Sequence, residues 1–240
     1  MSKPNHTNTQ LPIVVGITGA SGAIYAARAL QWLLAEGRQV HLVVSPDGLT
    51  VIRQELNYSG ELEPESIVEF FHAAGELLGE NQSAHDNTAR TSVSPTESSS
   101  SAIKIDTAIR AGCLHVHQFN DYFTPIASGS YRTAGMVVCP CSGTTLSSIA
   151  YSNSRNLIHR AAEVHLKERR KLILVPREAP LSLMQIENML RVTQAGAVVL
   201  PAAPGWYHGV HGLGDLVDFV VARILDQLEI PHERVRRWGS

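Results

Sequence analysis

Along this chain, short apolar runs alternate with stretches whose apolar residues return every three or four positions. Ile13–Ile17 is a nearly continuous apolar run, read as a first, central strand. Over 22–35, Ile24, Ala27, Leu30, Leu33 and Leu34 fall at helical spacing, and Gly37 stands where a cap belongs. The same reading predicts a strand over 40–44, a short helix over 49–56, and a helix over 65–78 carrying Ile67, Val68, Phe70, Phe71 and Leu77. Further on it predicts strands over 135–138, 172–175 and 197–200, and helices over 142–150, 157–170, 181–195 and 216–228. Strands that alternate with helices imply parallel βαβ units. The expected fold class is α/β, a three-layer doubly wound, mostly parallel sheet.

One interval breaks the pattern. Residues 81–101 are rich in Ser, Thr and Asn, hold one proline (Pro95), and end in Ser98-Ser99-Ser100-Ser101. Such a composition buries too little apolar surface to offset the entropy of ordering. It reads as a mobile surface insertion, a spacer or a regulatory, phosphorylated segment, because α/β periodicity resumes after it. The expected division is a polar tail over 1–11, one domain over 12–229 with the insertion at 81–101, and a C-terminal tail over 230–240.

Composition narrows the function classes. At 240 residues the chain is long enough for one sizeable core. Twenty Lys+Arg against 22 Asp+Glu, net −2, point away from nucleic acid and from anionic membrane surfaces. Of three cysteines, two lie in Cys139-Pro140-Cys141, which makes neither a disulfide framework nor a zinc knuckle. They read as small buried residues in a reducing compartment. The first ten residues lack the apolar core of a secretory signal, and no run approaches the ~18 apolar residues of a membrane span. The expected location is the cytoplasm. Eleven histidines show no HExxH-type spacing, so no metal is expected.

The chemistry gathers where the strands end. Gly16-Ile17-Thr18-Gly19-Ala20-Ser21-Gly22 joins the first strand to its helix, so glycines and a helix N-terminus can meet an anion there. The spacing is not G-x-G-x-x-G, and the second strand ends in Ser45-Pro46, with Asp47 after it, not in the acidic residue a dinucleotide ribose wants. A flavin mononucleotide or another phosphate ligand fits better, and a ligand-free tight turn explains the motif equally well. Ser142-Gly143-Thr144-Thr145 opens a second hydroxyl-rich helix start, which ordinary N-capping by Ser142 also explains. Arg160 and Lys167 lie seven apart and share a helix face, which could hold a phosphate or form a solvated salt-bridge surface with Glu163. Arg177-Glu178, between Pro176 and Pro180, puts a phosphate-binding guanidinium and a proton-transferring carboxylate on a stiff loop. Trp206-Tyr207-His208 offers aromatic faces and a phenol at another strand end.

Taken together, Gly19-Ala20-Ser21-Gly22, Ala127-Ser128-Gly129-Ser130, Cys139-Pro140-Cys141-Ser142, Leu166-Lys167-Glu168-Arg169-Arg170, Pro176-Arg177-Glu178-Ala179-Pro180 and Pro204-Gly205-Trp206-Tyr207-His208 resemble the flavin prenyltransferases of UbiX type. The resemblance runs over about 12–239 apart from the Ser-rich insertion. It implies a flavoprotein-type, Rossmann-like fold, typically in a homododecamer. It implies a metal-independent transfer of a dimethylallyl group from dimethylallyl monophosphate to N5 and C6 of reduced FMN. The product, prenylated FMN, would serve a UbiD-type decarboxylase. By the same resemblance Gly19, Ala20, Ser21, Ser45, Cys141, Ser142, Gly143, Thr144 and Arg177 contact FMN. Arg160, Lys167, Tyr207 and Arg223 hold the prenyl phosphate, Trp238 adds an aromatic face, and Ser21, Glu55 and Glu178 are the catalytic set. Some of these contacts cross subunit boundaries in that family.

Two other functions fit parts of the pattern. An FMN-dependent decarboxylase acting on cysteine conjugates would need a catalytic histidine in the first half, where His41 and His72 stand outside any motif. A non-enzymatic carrier of FMN would have no use for a second phosphate site.

Overall fold

The sheet is built from six parallel strands in the order β3-β2-β1-β4-β5-β6. The computed structural model describes residues 11–79, 95–207 and 209–235. The central strand β1 (Ile13–Ile17) is buried at every position, as expected of a parallel strand covered on both faces. It pairs with β2 (Val40–Val44) on one side and β4 (Gly135–Cys141) on the other. Edge strand β3 (Leu114–His117) lies beyond β2, and β5 (Lys171–Pro176) and β6 (Val198–Val199) continue beyond β4.

Side chains alternate across each strand, so the core divides in two. Ile13, Val15, Ile17, Val137 and Ile173 face α1 (Ala23–Ala35), α2 (Pro46–Leu56), α3 (Ile67–Leu78), α4 (Pro95–Arg110) and α8 (Leu213–Gln227). Val14, Met136, Val138, Leu172 and Leu174 face α5 (Gly143–Ala150), α6 (Leu157–Lys167) and part of α7 (Leu183–Gln194). On the first face a forked ion pair fastens α1 to α8: Arg28 Nε and Nη2 donate to Asp218 at 2.6 and 3.1 Å.

The three-layer doubly wound fold read from periodicity is the observed one, with all strand pairs parallel. Several boundaries differ. Helix α2 begins at Pro46, three residues early, because Ser45 caps it and Pro46 carries a helical φ without needing a donor. Strand β4 runs past Val138 through Cys141, so Cys139 and Cys141 belong to the buried strand end and not to the loop. The Ser-rich insertion is shorter than expected: from Pro95 the backbone is already helical, and α4 packs Ile105, Ala108 and Ile109 on the α1 side. The rest of the interval, 80–94, lies outside the described residues, as do 1–10, His208 and 236–240. Strand β3 was not anticipated. It is four residues long and alternates histidines with apolar residues at the sheet edge, which weakens any strand signal.

Candidate functional site

The strand order reverses between β1 and β4, and Thr18 closes that junction. Its Oγ1 donates to Pro140 O and accepts from Ser142 N, both at 2.8 Å, while its backbone N–H donates to Pro140 O at 3.2 Å. The β1–α1 and β4–α5 loops are thereby tied edge to edge. The sequence assigned Thr18 no role, although its hydroxyl directly precedes Gly19. The next loop joins from the other side, with Arg177 Nε donating to Ser21 O at 3.3 Å. The loop after β6 is held to β5 through Ala202 N and Pro176 O at 3.0 Å.

Within this crevice the helix N-termini differ. The first amides of α1 are already engaged within the chain. Glu55 reaches over from α2 and accepts from Gly22 N (2.9 and 3.1 Å) and Ala23 N (2.8 Å). Gly19 serves packing: a Cβ there would stand 2.5 Å from Asp47 Cβ. Gly22 adopts φ 114°, a conformation open to glycine. Helix α5 has no acidic residue in its first turn, and Ser142 caps it through Thr145 N at 3.2 Å. Ser45 caps α2 through Gly48 N at 3.0 Å. Ser142 is thus an N-cap, as the plainer reading held for it, and so is Ser45, for which no cap was expected. Gly143 and Thr144 open α5 beside Ser142. Cys141 is buried, its thiol pushed up to about 12 by desolvation, so it lines the floor as a neutral group.

Glu178 is exposed on the β5–α7 loop. Its Oε1 accepts from Ala179 N and its Oε2 from Gln185 Nε2, both at 3.2 Å. Gln185 was also passed over, although Ser182-x-x-Gln185 is a legible capping-box pattern.

The cations expected to hold a second phosphate are not brought together. Arg160 and Lys167 do share one face of α6, against one loop: Arg160 Nε donates to Ala127 O at 3.1 Å, and Lys167 lies beside Gly129. Glu163 pairs with Arg160 at 3.2 Å, and Lys167 with Glu168, so the expected Glu163–Lys167 pair does not form. Arg223 stands on α8, across the sheet, paired with Asp226 at 2.7 Å. Tyr207 packs edge-on against Phe219 at 5.8 Å, one turn before Arg223, so these two share the α8 side. Trp238 lies outside the described residues. A shallow cavity of about 270 Å³ between Leu166, Arg169, Lys171 and Gly196 sits at the amino end of β5, and none of the converging residues lines it. Among the described residues, no group of three or more His, Cys, Asp or Glu is placed to hold a metal, and no helix is long and apolar enough to cross a membrane.

A parallel sheet in this order, with hydroxyl- and glycine-rich loops at its reversal point, defines a nucleotide-binding α/β protein of Rossmann-like type. The profile of the family described as Flavoprotein matches residues 1–225. The flavin prenyltransferase UbiX of Pseudomonas aeruginosa is 42% identical, the match covering 95% of this chain and 94% of that protein. Its counterpart in Alkalihalophilus pseudofirmus is 41% identical over 95% and 96%. Among solved structures, AnUbiX (PadA1) in complex with FMN and dimethylallyl pyrophosphate superposes with a TM-score of 0.71 at 33% identity, covering 96% of this chain and 98% of that one. A dodecameric FMN-dependent UbiX-like decarboxylase from Escherichia coli O157:H7 gives 0.71 at 34% identity, covering 96% and 100%. The chain belongs to the Flavoprotein family and, within it, to the UbiX flavin prenyltransferases.

Proposed function

We propose that this protein transfers a dimethylallyl group from dimethylallyl monophosphate to reduced FMN, in an assembly of identical subunits, and passes prenylated FMN to a UbiD-type decarboxylase. The observation that carries the site is the convergence of three strand-end loops through Thr18, Ser142, Ser21 and Arg177. FMN fits these residues: the acid-free start of α5 at Ser142, Gly143 and Thr144 suits its phosphate, whereas Glu55 already occupies the start of α1. Gly19, Ala20, Ser21 and Ser45 border the same crevice, with Cys141 beneath. Reduced FMN supplies the nucleophilic N5 and C6 atoms.

The leaving phosphate needs its charge neutralised, and Arg177, Arg160, Lys167 and Arg223 can do so without a metal. Tyr207, Trp206 and Trp238 offer aromatic faces to an allylic fragment of cationic character. Glu55 holds the β1–α1 loop through Gly22 N and Ala23 N, Ser21 O takes Arg177, and Glu178 would accept the proton that C6 loses or deliver one to the departing phosphate. Because α6 and α8 lie on opposite faces, the donor site is completed by residues of neighbouring copies. Free cysteines at 113, 139 and 141 support a reducing compartment, the cytoplasm. One sheet covered on both faces supports reading 12–229 as a single domain.

Neither histidine singled out for the decarboxylase alternative stands among the converging strand-end loops. His41 lies buried in the body of β2, bonded to His117 at 2.7 Å and Tyr131 at 2.8 Å, and His72 is exposed on α3. Incubating the protein anaerobically with FMN, a reductant and dimethylallyl monophosphate, then weighing the flavin, tests the assignment. A flavin heavier by one C5H8 unit is expected. Unmodified flavin would sink it, and carbon dioxide released from a cysteine conjugate would select the alternative.

A further inference from the structure

Helix α7 starts a few residues after Glu178, and its third residue turns back toward that carboxylate. Ser182 Oγ accepts from Gln185 N at 3.3 Å, and Gln185 Oε1 accepts from Ser182 N at 2.9 Å. Because a backbone N–H can only donate, the oxygen of the Gln185 amide must face Ser182. The amide nitrogen therefore faces the other way, where it donates to Glu178 Oε2 at 3.2 Å. The same nitrogen stands 3.2 Å from the place a Cβ on Gly143 would occupy. Gln185 thus touches the loops that follow both β4 and β5.

A capping box accepts Glu as readily as Gln. Only the amide can cap with one end and donate to a carboxylate with the other. We propose that Gln185 is a positioning residue for Glu178: it holds the carboxylate in one place beside the start of α5. This rests on the prenyl-transfer reading, in which Glu178 receives a proton. Glu178 takes Ala179 N from its own loop and the neutral Gln185 amide from α7, and that amide in turn lies against Gly143 at the start of α5.

Gln185→Glu separates this role from helix capping. It keeps the shape and the cap but replaces the donor by a second carboxylate, which disfavours ionisation of its neighbour. Expected are an unchanged melting temperature and an acidic limb of the single-turnover pH profile moved up by about one pH unit or more. The KM for dimethylallyl monophosphate should stay within about twofold, since the phosphate contacts are untouched. An infrared titration, with Glu178→Gln as the blank, reads the Glu178 carboxylate without turnover and should show the same upward move. Gln185→Met, which removes the donor, should slow adduct formation about tenfold at neutral pH. An unmoved infrared titration together with an unmoved pH profile would reduce Gln185 to a cap for α7. Absence of a heavier flavin from the unaltered protein would instead sink the prenyl-transfer reading, while the infrared result still decides what Gln185 does to Glu178.

Discussion

Glu55 shows how one side chain can carry a structural duty that its neighbours in sequence do not reveal. Its carboxylate accepts from two backbone amides at the start of α1, a position where negative charge is also favoured by the positive end of the helix dipole. Glu55→Ala should lower stability by about 1–2 kcal/mol, read from urea unfolding of the ligand-free protein. An unchanged unfolding midpoint would confine Glu55 to a ligand-facing role. The resemblance named this acid, but its partners lie 32 and 33 residues away, and no local spacing announces such a contact. The reverse holds for Ser142 and Ser45, whose caps are made within three residues and follow from the chain itself. Arg177-Glu178 lies between these cases. Its place at a strand end was legible, while the direction of each side chain was set by Ser21 and Gln185.

At the scale of elements, α6 shows the interplay of amphipathic pattern and buried polarity. Its inner face buries Leu157, Ile158, Ala161, Ala162 and Val164, and also His165. The Nδ1 of His165 donates to Ala161 O at 2.7 Å, so Nε2 is the bare nitrogen that accepts from Thr133 Oγ1 at 2.8 Å. This neutral ring ties α6 to the segment entering β4. Burial, helped by Arg170, lowers its pKa to about 4. An unfolded histidine titrates near 6.5, so between these values the unfolded chain binds the proton and the folded one does not. Stability is complete above about pH 6.5 and falls as the pH drops toward 4, by on the order of 3 kcal/mol over the full window. Urea unfolding at neutral pH and near pH 4.5 should show the loss, and His165→Gln should lessen it, leaving the share of His41, which burial also lowers to about 4; an equal slope in the variant would clear His165. Elements built from such residues are the hard ones to foresee. Helix α4 passes through a serine run and β3 alternates histidines with apolar residues, so tertiary contacts outweigh weak local preference in both.

For the whole molecule, the decisive fact is that the sheet separates Arg160 and Lys167 on α6 from Arg223 on α8 and from Tyr207, which packs against α8. A donor site using both sets must be shared between copies. Arg160→Ala and Arg223→Ala should each abolish adduct formation alone. Co-assembled in equal amounts, the two should recover activity, because roughly a quarter of shared sites then receive both cations. No recovery from mixed assemblies of normal size would place the two arginines in unrelated roles. What the chain determined by itself is the alternation of strand and helix, because hydrophobic period is a local property, and with it the parallel sheet and the polar loops at the strand ends. Only the tertiary structure decided that Thr18 joins β1 to β4, that Glu55 takes the start of α1, and that the cations stand on opposite faces. Those depend on strand order and on which side of the sheet each helix crosses, and residues far apart in the chain carry no periodic signal of either.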